Sequence, residues 1–316
     1  MMHVTAESTS ADTPEQGPIQ TVELPRTFSL PGGQIIEVRN VCPDDALALQ
    51  QLFERLSDED RYRRFFSPHH PDRAFYDRLA AIGDRGGAAV VAVDLEDTSI
   101  IAEADYELQS NGNGEMAIVV DESWRGWLGP YLVGVLAAVA AENGVPNLEA
   151  LILTTNRPMR AMTRTRGEAV LPGSDWQTVR VEFSTTGRAP GWFATDRPKV
   201  LVEMRSSAYD VLDQLASDYA VVACAGPSGR PRPCPLLEGG ECPLAAGADA
   251  IIIAMADDDE RNSLVAGHHA RHDQVPVEVV APEQHPARCA TVQAAVERAL
   301  MRSATSADSD HGEPGS

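Results

Sequence analysis

Residues Glu115 to Gly167 restrict the fold more than any other part of the chain, because two apolar runs and two helical patterns alternate there without interruption. Met116 to Val120 is a short continuous apolar run, the pattern of a buried strand. It leads into the turn Trp124-Arg125-Gly126-Trp127-Leu128-Gly129-Pro130, after which Leu132, Val133, Leu136, Val139 and Ala140 recur at helical spacing. Asn143-Gly144 has the chemistry of a helix C-terminus. Leu148 to Leu153 reads as a second strand, and Asn156 opens a short helix that carries Met159 and closes at Gly167. A strand that turns through glycine into a helix N-terminus makes an anion site, since unsatisfied N–H groups and the helix dipole point at the same ligand. Arg157, Arg160 and Arg164 fall at i, i+3 and i+7 of the second helix and, with Arg166, concentrate positive charge. A polyanionic ligand explains that cluster; a solvated basic face is the other reading.

This order of elements resembles the GNAT superfamily of acyl-CoA-dependent N-acyltransferases. Asn156, Met159 and Gly167 match the family's Asn-x-x-Met-helix-Gly segment. The turn at Trp124–Pro130 corresponds to its Gln/Arg-x-x-Gly-x-Gly/Ala loop, shortened by one residue and one glycine. The resemblance spans roughly residues 34–184. It implies an α/β fold with a GNAT-like mixed sheet and flanking helices, and acetyl-CoA as co-substrate. Arg125, Gly126, Trp127 and Gly129 would wrap the pyrophosphate, the backbone of Val119 and Val120 would hold the pantetheine arm, and Asn156, Met159 and Arg160 would complete the cofactor side. The acceptor would be a primary amine, a protein lysine among the candidates. Glu115, at the start of the strand that enters the loop, would be the base that takes the amine's proton. Glu103 and Asp105 alternate on the preceding strand and are its substitutes; an exposed strand-end glutamate is the plain reading of Glu115. The family's tyrosine acid is absent: Met162 and Thr163 stand there. The alternative function is a catalytically inactive acyl-CoA-binding regulator whose C-terminal domain senses a ligand or a thiol state.

A chain of 316 residues is long enough for two domains. The expected division is a disordered tail over 1–20, the acetyltransferase-like domain over 21–190, a linker and connecting strand over 191–204, a small Rossmann-like parallel α/β domain over 205–302, and a disordered tail over 303–316. With 26 basic and 47 acidic residues the formal net charge is −21, which disfavours nucleic acid as a partner. There is no long uncharged apolar run to span a membrane and no secretory signal pattern. Five cysteines in such a length do not form a disulfide framework, so a reducing cytoplasm is the expected compartment.

Before the turn region, helices are expected from Pro43, from Ser57 and over Arg73–Ile82, and strands over Gln34–Val41, Ala88–Asp94 and Ser99–Leu108. Arg61 to Phe66 is a basic-aromatic segment; core packing of Phe65 and Phe66, and ion pairs from the arginines to Asp58, Glu59 and Asp60, account for it. Beyond Val200–Met204, the runs Ala220–Cys224, Ala250–Met255 and Val275–Val280 read as strands buried on both faces, and Thr291–Met301 as a closing helix. Cys224, Cys234 and Cys242 lack the spacing of a zinc site and read as buried or loop thiols. His268, His269 and His272 include an i, i+4 pair of the kind that ligates metal on a helix; with no carboxylate motif around them they read as part of a surface helix, and no metal ligand set is assigned.

Overall fold

Alternation of small and branched apolar residues along four consecutive antiparallel strands builds one side of the larger sheet. These are β1 (Arg26–Ser29), β2 (Ile35–Asn40), β3 (Ala88–Asp94) and β4 (Ser99–Leu108), and they continue into β5 (Gly114–Val120). β6 (Asn147–Leu153), β7 (Ala169–Val170) and β8 (Thr178–Ser184) complete an eight-stranded mixed sheet in the order β1-β2-β3-β4-β5-β6-β8-β7. The structure is a computed structural model that describes residues 22–30, 33–68, 70–164, 169–185, 197–204, 209–224, 226, 234–280 and 287–309. The tail expected over 1–20, together with Arg166 and Gly167, lies outside the described residues.

Helices α1 (Ala46–Glu54), α2 (Asp58–Phe65) and α3 (Arg73–Ala80) cover one face of the sheet, and α4 (Leu128–Glu142) covers the other. α5 (Arg157–Arg164) follows β6. The β4–β5 register sorts the side chains between these layers. Ala102, Ala104 and Tyr106 stand opposite Val120, Ile118 and Met116, and several of them join the core beneath α4. Glu103, Asp105 and Glu107 stand opposite Val119, Ala117 and Glu115, on the face with α1 to α3. The sheet with its flanking helices is the GNAT-like arrangement expected. β1 and β7, each short, carry no strong sequence pattern and are additions to it.

A second sheet holds β9 (Lys199–Met204), β10 (Ala220–Cys224), β11 (Ala250–Ala254) and β12 (Val277–Val279), all parallel, in the order β10-β9-β11-β12. β9, expected as a connecting strand, therefore lies between two others. α6 (Tyr209–Leu215), α7 (Asp258–Arg271) and α8 (Ala287–Ser309) accompany this sheet. α8 starts before Thr291, where the closing helix is expected to begin, and continues past Met301 to Ser309. Among the described residues no helix is long and apolar enough to cross a membrane.

The two sheets share apolar cores. Leu201, Val222 and Ile251 belong to the same cluster as Leu132 and Leu136 of α4, while Ala161 of α5 packs with Val200, Val202 and Leu212.

One junction decides where the larger sheet opens. β5 and β6 run parallel but pair only at Gly114 with Leu148 and at Glu115 with Glu149. Each is held along its length on its other side, β5 by β4 and β6 by β8. The closed end is pinned by the Glu149 carboxylate, which accepts from Asn111 Nδ2 at 2.8 Å, Asn113 Nδ2 at 2.9 Å and Arg180 Nη2 at 2.9 Å. The bond from Asn113, ahead of those from Asn111 and Arg180, holds this carboxyl below its ordinary value despite its burial. Gly114 is needed here for space: a Cβ would stand 2.8 Å from the Tyr106 ring and 2.9 Å from Leu148. Gly114→Ala is expected to lower the unfolding free energy by about 1–3 kcal/mol, read by urea titration, because both neighbours are core side chains. An unchanged midpoint would mean that the junction has room to give.

Candidate active site

Past the junction the strands part and leave a cavity of about 920 Å³. β5 contributes Met116 to Val120, β6 contributes Ala150 to Ile152, and α5 contributes Met159 and Met162. The edge of β5 that faces β6 has no strand partner from Met116 to Val120 among the described residues. An unpaired strand edge at a cavity offers backbone N–H and C=O groups to a ligand.

The start of α4 lies at the same cavity. Gly126, Gly129 and Pro130 line it, and the helix begins at Trp127 without a side-chain cap. Gly126 has φ +144°, a backbone conformation that a side chain rarely tolerates, so glycine is required for this entry. Arg125 also lines the cavity, but its Nη2 is 2.7 Å from Asp60 Oδ2 of α2. Burial raises the Asp60 carboxyl, yet the bonds from Ser57 and Arg125 outweigh it and hold the group below its ordinary value. Arg125 thus ties the loop to α2.

Trp127 differs from expectation. Its side chain is 5 % exposed and packs in the core, with ring centroids 5.1 Å from Phe28 and 5.8 Å from Tyr131. It is not among the cavity-lining residues. The ring is turned inward at the start of α4.

On α5 the cavity side carries Asn156, Met159 and Met162. Asn156 Oδ1 accepts from the Met159 N–H at 3.3 Å, so the Asn-x-x-Met pair is a helix cap as well as a wall. Arg160 lies off the lining, and its Nε is buried with no hydrogen-bond partner. Of the arginine stripe, Arg157 is exposed, and neither the Arg164 side chain nor Arg166 is among what is described.

The acidic face of β4 and β5 gives the candidate carboxylates different surroundings. Glu103 is fully buried and does not line the cavity. Burial, then the negative charge of Asp105, pushes its carboxyl well above the ordinary range, against the smaller pull of Arg64. Asp105 lines the cavity but is bonded by Arg64 Nη2 at 2.8 Å. Glu107 lines it and meets Arg85 at 3.1 Å. Glu115 lines it, is exposed, and has no ion pair among the described residues. Among the described residues no tyrosine lines the cavity.

The basic-aromatic segment is structural in most respects. Phe65 packs on Phe53 and Phe75, and Arg61 bonds Asp58 and the Leu56 carbonyl. Arg63 bonds Glu59 and Asp60. Arg64 reaches across to Asp105, a pairing that no local spacing announces. The sequence also gives no sign that Met204, Leu212, Val222 and Ala223 of the second sheet's unit line this cavity. They arrive there only through packing against α4 and α5.

No protein-family model matches the sequence. Solved structures of GNAT-domain acetyltransferases are similar to about half of the chain. The GNAT domain of S. lividans PAT is 25% identical at a TM-score of 0.46, over 51% of this chain and 96% of that one. A cAMP-binding acyltransferase from Mycobacterium smegmatis is 21% identical at a TM-score of 0.37; the match takes in 62% of this chain and 54% of that one, so this chain spans about half of its length. A phosphinothricin acetyltransferase from Sinorhizobium meliloti, solved in complex with AcCoA, is 18% identical at a TM-score of 0.40, over 47% and 88% of the respective chains.

Glu103 keeps its proton in the folded chain at pH values where the unfolded chain has lost it. Its contribution to stability is therefore complete below an unfolded glutamate pKa of about 4.3 and is lost as pH rises toward the folded value. Glu103→Gln should remove this slope, so that the variant gains on the wild type as pH rises from about 4.3. Urea titrations of both proteins across pH measure the difference; parallel profiles would contradict the assignment.

Proposed function

We propose that the chain is an acyl-CoA-dependent N-acyltransferase that moves an acetyl group from acetyl-CoA to a primary amine, with a protein lysine as the acceptor class to test first. The observation that carries this reading is the unpaired β5 edge, which runs along a cavity into an uncapped helix start. An extended amide-bearing arm ending in phosphates suits that combination: the pantetheine amides pair with the backbone of Val119 and Val120, and the pyrophosphate meets the α4 N-terminus at Gly126 and Gly129. Arg125 adds charge at the same entrance once it shares or leaves Asp60.

The acceptor enters from the face of Glu115. An ammonium is not a nucleophile, so Glu115 takes its proton, directly or through water, as the base of the reaction. The amine lone pair then adds to the thioester carbonyl, the C–S bond breaks, and the nitrogen gives up its second proton through solvent to the departing coenzyme A thiolate, leaving an amide and a thiol. A thiolate is a stable leaving group near neutral pH, which suits a cavity without a tyrosine. Asp105 and Glu107 keep their arginines and shape the acceptor side.

Acetyl-CoA should raise the melting temperature of the intact chain, with a stabilisation of about 2.7 kcal/mol at a hundred times the dissociation constant. No shift and no calorimetric heat at millimolar ligand would refute the cofactor. Glu115→Gln should lower turnover by about 10²–10⁴ with little change in acetyl-CoA affinity, and the loss should shrink as pH rises and more acceptor is neutral. Undiminished turnover at neutral pH, measured over a panel of amines and lysine peptides, would exclude Glu115.

A further inference from the structure

Three ligand-type side chains from distant parts of the chain meet inside the second sheet's unit. Glu203 comes from β9, Cys242 from the loop before β11, and His268 from α7. All three are buried, and one oxygen, one sulfur and one nitrogen from them lie within 4.8 Å of one another. This corrects the sequence reading of His268 as part of a surface helix: it is fully buried. His268 Nε2 approaches Glu203 Oε1 to 3.2 Å, yet no hydrogen bond is made by either ring nitrogen of His268 or by Glu203 Oε2 among the described residues. An imidazole and a carboxylate left unsatisfied in the interior are costly unless something else satisfies them.

Two more thiols adjoin the set. Cys224 ends β10 directly opposite Glu203 of β9 and is buried, and Cys234 opens the turn Pro235–Glu238 and packs against the cluster that holds Cys224 and Cys242. The surroundings hold the donors in place: the Cys242 N–H donates to His272 Nε2 at 3.0 Å, and the Gly226 N–H donates to Cys224 Sγ at 3.4 Å.

We propose that Glu203, Cys242 and His268 bind a zinc-class divalent cation, with the thiol of Cys224 or Cys234 closing a four-coordinate site. Thiolate and imidazole donors in a tetrahedral set select zinc over magnesium or calcium, which prefer oxygen. Four protein ligands in a buried position leave no open coordination place, so the ion is structural and joins β9, the loop before β11 and α7 to the end of β10 or to the turn at Cys234. On binding, the thiol protons pass to solvent and the sulfurs ligate as thiolates. The site also reaches toward the cavity: the Gly226 carbonyl is 3.9 Å from where a Cβ of Gly126 would stand.

The test uses the intact chain, purified without a polyhistidine tag and kept reduced. Elemental analysis after gel filtration should find about one zinc per chain. Exchange with cobalt(II) should give a thiolate-to-metal band in the near ultraviolet and the intense visible bands of tetrahedral cobalt. Cys242→Ser should lose the thiolate band at equimolar cobalt, Cys224→Ser and Cys234→Ser should reveal which thiol closes the site, and Cys42→Ser, at an exposed thiol, should leave the spectrum unchanged. Wild-type protein that holds no zinc and gives no tetrahedral cobalt spectrum would overturn the proposal, without reliance on any variant folding. So would a cobalt spectrum unaltered by Cys242→Ser, or recovery of these cysteines as a disulfide with no metal bound.

Discussion

The limited pairing of β5 with β6 is the constraint on which the rest of the site depends. Two residue pairs join the strands, and beyond them each strand belongs to a different half of the sheet. The opening is fixed because both flanks are fixed: β5 is bonded along β4, and β6 along β8. Closing the gap would require breaking one of those ladders. The buried Glu149 carboxylate, with bonds from Asn111, Asn113 and Arg180, keeps the strands together at one end, and Gly114 lets them approach without a side chain between them. A backbone edge that would be a liability on the surface stands instead inside a cavity.

Charge is organised around that opening. The chain is strongly acidic, yet three arginines that line the cavity are committed to specific carboxylates: Arg125 to Asp60, Arg64 to Asp105 and Arg85 to Glu107. Glu115 lines the cavity with no ion pair among the described residues. The helix start at Gly126 to Pro130 supplies partial positive charge without a basic side chain. An anionic ligand can therefore be drawn to one end of the cavity while an amine is drawn to the other.

Much of this arrangement was legible in the sequence. The apolar runs of β5 and β6, the helical spacing of α4 and the Asn156–Met159 pair stand in consecutive order, and each is a local signal. Their walls were also foreseeable: Val119, Val120, Gly126, Gly129, Asn156 and Met159 all line the cavity. Trp127 and Arg160 were not, because side-chain direction depends on packing that the spacing does not carry. Trp127 finds Phe28, nearly a hundred positions earlier, and turns into the core. The Arg64–Asp105 pair and the meeting of Glu203, Cys242 and His268 are likewise long-range, so no motif spacing announces them. β1 and β7 are too short for periodicity to register, and α8 extends into residues whose composition alone suggests disorder.

The account turns on the free edge of β5 being the surface that a ligand completes. Amide hydrogen exchange over residues 116–120, with and without saturating acetyl-CoA, reads this directly. The account predicts that these amides gain protection when acetyl-CoA binds, while those of β3, already paired on both sides, do not change. Tight binding of acetyl-CoA with no added protection anywhere in β5 would contradict it.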